Sequence, residues 1–270
     1  MALDFGELRY SSSRAYDELE DEDTENTRSV EYRVTINIAH PEGETGLSKC
    51  DRLILSYGTL AIDFCETLLL SEQCVNCGSI IVEEEAPANS DLTGDFRPRK
   101  PKPSTLYIWQ NSVLMCTVSD DVVSAVANTF SSKLLGLVNS ECNVMILSSH
   151  HYGQLQGCYS PAVDGNCSIH SLCSPAFIYK PAYIPLPQPA TIDSVPAAVL
   201  SECIVESIPC VLYPIFTETY STGDLDLVAE SLLKVFTREP FKNIVSSLDQ
   251  NKLHKYRSRN PRKEMLDRYM

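Results

Sequence analysis

The stretch RLILSYG, residues 52–58, decides the fold of this chain. Its apolar centre predicts a strand, and Gly58 supplies a turn at the end of that strand. The residues that follow directly, TLAIDFCETLLL at positions 59–70, favour a helix. A strand, a turn and a helix in this order are the beginning of an α/β fold.

Further elements on both sides of this unit fit the same class. Residues 32–38 alternate between polar and apolar, which predicts a half-exposed strand. Two strands are expected at 105–109 and 112–118, and a short buried strand at 143–147. Between them, Ser119-Asp120-Asp121 supplies cap residues for a helix to about residue 138, whose apolar residues keep the spacing of a buried face.

The segment VPAAVLSECIVE, residues 195–206, predicts another helix, with Pro196 in its first turn. Ile208-Pro209 ends that helix, and CVLY at 210–213 then predicts a buried strand. We therefore expect a single α/β domain over residues 31–250, with an exposed loop at 84–104 where prolines alternate with basic residues.

The two ends of the chain differ from this domain in charge. Residues 1–30 hold a dense acidic run and little to bury, so we expect a disordered acidic N-terminal segment. It serves either as a solubilising tail or as a contact for a basic surface. Residues 251–270 are expected to form a flexible basic C-terminal tail.

Composition limits the class of partner and the compartment. The formal net charge of −14 argues against a nucleic-acid partner, since an acidic surface repels phosphates. No apolar run reaches the roughly 18–20 residues that cross a bilayer, so no membrane association is expected. The first residues lack the pattern of a secretory signal, and the eleven cysteines are typical of reduced, buried thiols. We expect a cytoplasmic protein, with the nucleus left open.

The sequence contains no motif that predicts a catalytic residue, a cofactor site or a metal site. Cys74-Val75-Asn76-Cys77 has the spacing of half a zinc site but lacks a second pair, and Cys158, Cys167 and Cys173 around His170 are irregularly spaced. Structural thiols are the favoured interpretation. His150-His151 is more typical of loop residues at a strand end than of a catalytic pair. Gly58 could hold a phosphate at a helix N-terminus, but an ordinary strand–helix turn is favoured.

The region of residues 195–217 also resembles a known family. The sequence VPAAVLS at 195–201, Cys203, IPCVLY at 208–213 and Phe216-Thr217 are similar to the signature region of the proteasome assembly chaperone 1 family. The resemblance implies a central mixed sheet with helices on both faces. It also implies a chaperone that forms a heterodimer with a second assembly chaperone subunit, binds the α-subunits of the 20S proteasome, promotes α-ring assembly and prevents off-pathway association.

Members of this family often end in a hydrophobic residue, a tyrosine and any third residue, which enter pockets between α-subunits. Here the corresponding residues are Arg268, Tyr269 and Met270, with an arginine at the hydrophobic position. The alternative is a frayed terminus without a binding role. The basic residues before it act as a spacer or as a charged guide to an acidic surface. A rival class of function, a small-molecule hydrolase or phosphorylase on a related α/β scaffold, also stays open.

Overall fold

The computed structural model describes residues 31–40, 43–70, 74–85, 100–110, 112–155, 167–217, 224–242 and 244. Within these residues nine strands form one mixed sheet. The strands are β1 (Glu31–Ile38), β2 (Arg52–Tyr57), β3 (Cys74–Glu85), β4 (Ser104–Trp109), β5 (Val113–Thr117), β6 (Asn143–His151), β7 (Cys167–Ile169), β8 (Leu172–Cys173) and β9 (Cys210–Thr217).

The centre of the sheet is parallel and its flanks are antiparallel. The strand order is β1-β3-β4-β5-β2-β6-β9-β7, and β8 also pairs with β9. Strand β2 runs parallel to β5 and β6, and β6 runs parallel to β9. Strands β1, β3 and β4 extend the sheet on one side in antiparallel pairs. The central strands are apolar almost throughout because both of their faces are covered.

Helices cover both faces of the sheet, as the resemblance implies. They are α1 (Glu44–Leu47), α2 (Thr59–Phe64), which continues as the π-helical segment Cys65–Leu69, α3 (Ala127–Leu135), α4 (Ser194–Val205) and α5 (Asp224–Val235). Helices α3 and α4 pack together on one face, over Leu53 and Leu55. Helices α2 and α5 pack on the other face, over Ile54. The predicted α/β class and its two-sided cover are thus confirmed.

Helix α3 begins later than the sequence predicts. The Ser119 hydroxyl accepts a hydrogen bond from the Asp121 N–H, and the Val122 N–H bonds to the Ser119 carbonyl. These bonds form a local turn instead of a helix cap. A short 3₁₀ segment, Ser124–Val126, then leads into the helix at Ala127.

Three sequence predictions concern regions that are described only in part or not at all. Of the predicted loop at 84–104, Glu84 and Glu85 end β3 and Ser104 begins β4, while residues 86–99 lie outside the described residues. Residues 1–30 and 245–270 also lie outside them. Among the described helices, none is long and apolar enough to span a membrane.

Candidate functional site

The carboxyl ends of the parallel strands β2, β6 and β9 meet at one edge of the sheet. In open α/β sheets this edge is where ligands usually bind, so it is the first place to look for a site. Here β2 ends next to Gly58, β6 ends in Ser148-Ser149-His150-His151 and β9 ends at Thr217. The paired histidines are therefore the last residues of a strand, and the loop placement predicted from sequence is wrong.

His150 is the centre of a buried hydrogen-bonded group at this edge. Its Nε2 lies 2.8 Å from the Ser148 hydroxyl oxygen, and its Nδ1 lies 3.0 Å from Oε1 of Gln154. The His150 ring also packs on Phe216, with 5.5 Å between ring centroids. Burial lowers the pKa of His150, against smaller raising effects of the Gln154 hydrogen bond and the Asp193 carboxylate. The ring is therefore neutral at physiological pH.

A second histidine lies on the other side of Phe216. His170 Nε2 is 2.9 Å from the Ser168 hydroxyl oxygen, and its ring meets Phe216 edge-on at 6.1 Å between centroids. Burial lowers the pKa of His170 as well, with a smaller opposing effect of the Pro185 backbone, while its Nδ1 has no hydrogen-bond partner among the described residues. The sequence places His170 near cysteines but gives no sign of its contacts with Ser168 and Phe216.

The Ser148–His150 pair has the first requirement of nucleophilic catalysis, a hydroxyl within reach of a base. The rest of the arrangement does not suit a reaction. Ser148 is 0% exposed and His150 is 4% exposed, so a substrate does not reach either side chain in this conformation. The third member is Gln154, a neutral amide that lacks the charge needed to stabilise an imidazolium. What the geometry shows is a satisfied polar network inside the core.

Gly58 lies beside this network and has a structural explanation. Its φ is +79°, a conformation that favours glycine. A β-carbon at this position would lie 2.3 Å from the Ser149 hydroxyl oxygen and 2.8 Å from the Ser149 carbonyl oxygen. The close approach of Ser149 therefore explains why a glycine stands at this turn. The geometry favours the ordinary strand–helix turn.

The cysteines are mainly part of the core. Of the ten cysteines in the described part of the chain, eight are buried, Cys74 is half-buried and Cys173 is exposed. Burial raises the pKa of Cys77 to about 11 and that of Cys65 to about 12, so these thiols stay protonated and unreactive at neutral pH. Within the described residues no three His, Cys, Asp or Glu side chains come together as a possible metal site, and Cys158 lies outside them.

Exposed apolar side chains are found away from the carboxyl edge. One set is at the end of α4, where Ile204 and Val205 are 46% and 76% exposed. Another is on the loop after β8, where Ile178 and Ile184 point outward. Such surfaces are typical of protein–protein contacts when they are contiguous. The residues predicted for a partner-binding tail, Arg268, Tyr269 and Met270, lie outside the described residues.

The sequence matches a known protein family over almost the whole of the chain. The family model described as "Proteasome assembly chaperone 4" matches residues 1–269, so the chain belongs to the family of proteasome assembly chaperones. Proteasome assembly chaperone 1 of Xenopus laevis is 31% identical over 242 residues, which is 81% of this chain and 83% of that protein. The protein of the same name from Danio rerio is 27% identical over 260 residues, covering 88% and 92%.

Solved structures show the same fold at low sequence identity. The archaeal proteasome activator PbaB of Pyrococcus furiosus aligns over 87% of this chain and 98% of its own, with a TM-score of 0.55 and 10% identity. PbaA of the same organism, an archaeal homologue of proteasome-assembly chaperone, aligns over 87% and 91%, with a TM-score of 0.52 and 11% identity.

Proposed function

We propose that this protein is a non-enzymatic chaperone that pairs with a second assembly chaperone subunit and binds the α-subunits of the 20S proteasome. In this role it promotes assembly of the α-ring and prevents off-pathway association, in the cytoplasm or the nucleus. The observation that carries the proposal is the match over 81% of the chain to a relative named proteasome assembly chaperone 1. The buried state of Ser148 and His150 supports a binding role over the rival hydrolase or phosphorylase.

The proposed contact with the α-ring is made by the end of the chain. Tyr269 offers a ring for packing and a hydroxyl for a polar partner, and the carboxylate of Met270 can pair with a lysine in a pocket between subunits. Residues 252–270 hold seven basic and two acidic residues, a net charge of +5. This segment acts as a spacer that gives Tyr269 its reach, with some attraction to acidic surface.

The strength of one such tail is limited. A charge-assisted hydrogen bond contributes about 1.5–3 kcal/mol, so the tail alone binds weakly. Useful affinity requires the tail, the partner's tail and the body of the heterodimer to act together through effective concentration. Because Arg268 stands at the hydrophobic position, this tail contributes less than a tail with the full motif.

The test is capture of α-rings by the tagged heterodimer. Deleting residues 268–270 should weaken capture, and adding one glycine after Met270 should weaken it equally because the carboxylate is displaced. Arg268→Leu restores an apolar residue and should strengthen capture. Pairing with the second subunit is measured in the same samples and should not change.

Two results would count against the proposal in different ways. If the deletion, the extension and the Arg268→Leu variant all capture α-rings as well as the wild type, the tail does not contribute to binding. Purification of the wild-type chain with neither a second chaperone subunit nor proteasome precursors would remove the function itself.

A further inference from the structure

Helix α4 exposes apolar side chains at its carboxyl end. Ile204 and Val205 are exposed and Leu200, one turn earlier, is half-buried, while Ser201 is the one polar side chain of the helix that is fully exposed. Apolar residues on the solvent side of a helix, next to one another, are typical of a surface that another element covers.

The neighbouring helix α3 provides a direct comparison. Its exposed positions are Asn128, Thr129, Ser132 and Lys133, all of them polar. Helix α3 therefore exposes only polar side chains, whereas α4, packed beside it, exposes Ile204 and Val205 as well as Ser201. The difference indicates that another molecule covers the outer face of α4 in the functional complex.

The α4 face is also held in a fixed position. At its start, the Tyr57 hydroxyl donates to the Ser194 hydroxyl oxygen at 3.1 Å. At its end, the Ile208 N–H bonds to the Cys203 carbonyl and the Ser207 N–H to the Ile204 carbonyl, with Ser207 at φ +57°. This is the Schellman pattern of helix termination. A surface fixed at both ends loses little conformational entropy when it binds.

The charges around this face are of one sign. Asp193 precedes the helix, Glu202 lies within it and Glu206 follows it, and the segment 193–206 has no lysine or arginine. A complementary occupant therefore presents an apolar stripe flanked by basic side chains.

We propose that the outer face of α4 is the docking surface for a helix of the second chaperone subunit, with lysine or arginine beside an apolar stripe. This inference rests on the proposed function for the identity of the partner. A second copy of this chain would place three carboxylates against three others, which is unfavourable. The chain's own basic segment is a weaker candidate, because the apolar residues of 251–270 fall in two groups separated by the eight polar, charged or proline residues 257–264 and do not form one continuous stripe.

The experiment measures the dissociation constant between the full-length chain and the purified second subunit. The double variant Ile204→Arg/Val205→Arg should weaken binding at least tenfold, because it places charge in the apolar stripe and repels a basic flank. The matched control is Asn128→Arg/Ser132→Arg on the exposed face of α3, which should bind like the wild type. Both variants should unfold at the wild-type denaturant midpoint, since all four side chains are exposed.

The outcomes separate the inference from the function on which it rests. Wild-type affinity in the Ile204→Arg/Val205→Arg variant would overturn the inference and leave the proposed function standing. A wild-type chain that does not bind the second subunit would instead overturn the proposed function. Self-association of the chain that the double variant abolishes would assign the surface to a second copy. Tighter binding after removal of residues 251–270 would assign it to the chain's own tail, and either result would overturn the inference.

Discussion

Replacing Gly58 with alanine tests whether this glycine serves the packing of Ser149. Two separate costs are expected. The first is the backbone conformation, φ +79° with ψ 155°, a region essentially restricted to glycine, which costs a residue with a side chain about 1–3 kcal/mol. The second is steric, because the new β-carbon would lie 2.3 Å from the Ser149 hydroxyl oxygen and 2.8 Å from its carbonyl oxygen. Overpacking of this kind costs about 1–3 kcal/mol, so the free energy of unfolding should fall by about 2–6 kcal/mol.

The chain supplies a control that separates the two costs. Gly43 also has a positive φ, of +59°, and nothing lies within 4 Å of the β-carbon it would gain. Gly43→Ala should therefore show the conformational cost alone. The difference between the two variants, measured by urea unfolding of the purified chain, is the cost of the contact with Ser149.

A double-mutant cycle completes the test. Ser149→Ala removes a buried hydroxyl that has no hydrogen-bond partner among the described residues, so alone it should be nearly neutral. In the Gly58→Ala background it removes the 2.3 Å contact and should restore about 1 kcal/mol, while the carbonyl contact persists. If Gly58→Ala costs no more than Gly43→Ala, or if Ser149→Ala restores nothing, the structural explanation of Gly58 is refuted.

Two further predictions concern histidine titration and the end of α4. Burial lowers the pKa of His150 and His170 below the value of about 6.5 in the unfolded chain, so the unfolded chain takes up protons first as the pH falls. The free energy of unfolding should therefore keep its full value above about pH 6.5 and decrease below it. Urea unfolding at a series of pH values should show a smaller decrease in the His150→Gln variant. Ser207→Gly should raise the free energy of unfolding by about 0.5–1 kcal/mol because it relieves a left-handed serine. The control Ser201→Gly, inside α4, should lower it by about 0.5 kcal/mol, and a stabilising effect of both would contradict the explanation.

The parts of the fold that could be predicted from sequence are those with an apolar signal. The central strands are buried on both faces, so their residues form nearly continuous apolar runs that can be recognised in the sequence. Helix α4 and strand β9 were predicted nearly to their observed starts for the same reason.

Strand β3 was not predicted, because only Ile80-Ile81-Val82 at its centre favour a strand and the residues on both sides do not. It contains Gly78 and ends in three glutamates, and its first residues suggested metal chemistry. Its twelve residues are held by pairing with β1 over the full length of that strand, and Gly78 is required where the Asn37 carbonyl approaches to 2.4 Å of a β-carbon position. Tertiary pairing overrides local preference here.

The candidate sites were also only partly visible in the sequence. Ser148 and His150, near the end of β6, are buried within hydrogen-bonding distance of each other, and no periodic pattern in the sequence indicates that contact. In the same way, the apolar residues of 195–205 do not show in the sequence which of them are exposed, whereas in the structure Ile204 and Val205 lie on the surface. The sequence alone does not distinguish apolar residues of the core from apolar residues of a binding surface, because that depends on which elements pack beside them.

The carboxyl edge and helix α4 differ in how their side chains are used. At the carboxyl edge, the buried His150 lies within hydrogen-bonding distance of Ser148 and Gln154, and Ser168 of His170, while Ser149 packs against Gly58. At α4, where an enzyme needs only a solvated helix, apolar residues reach the surface. Substitutions in the two regions should therefore change different measured quantities. Disruption of the network at His150 should lower the free energy of unfolding, because a buried partner is left without its hydrogen bond. Disruption of the α4 face should act on association and leave stability unchanged, because its exposed side chains lie outside the core.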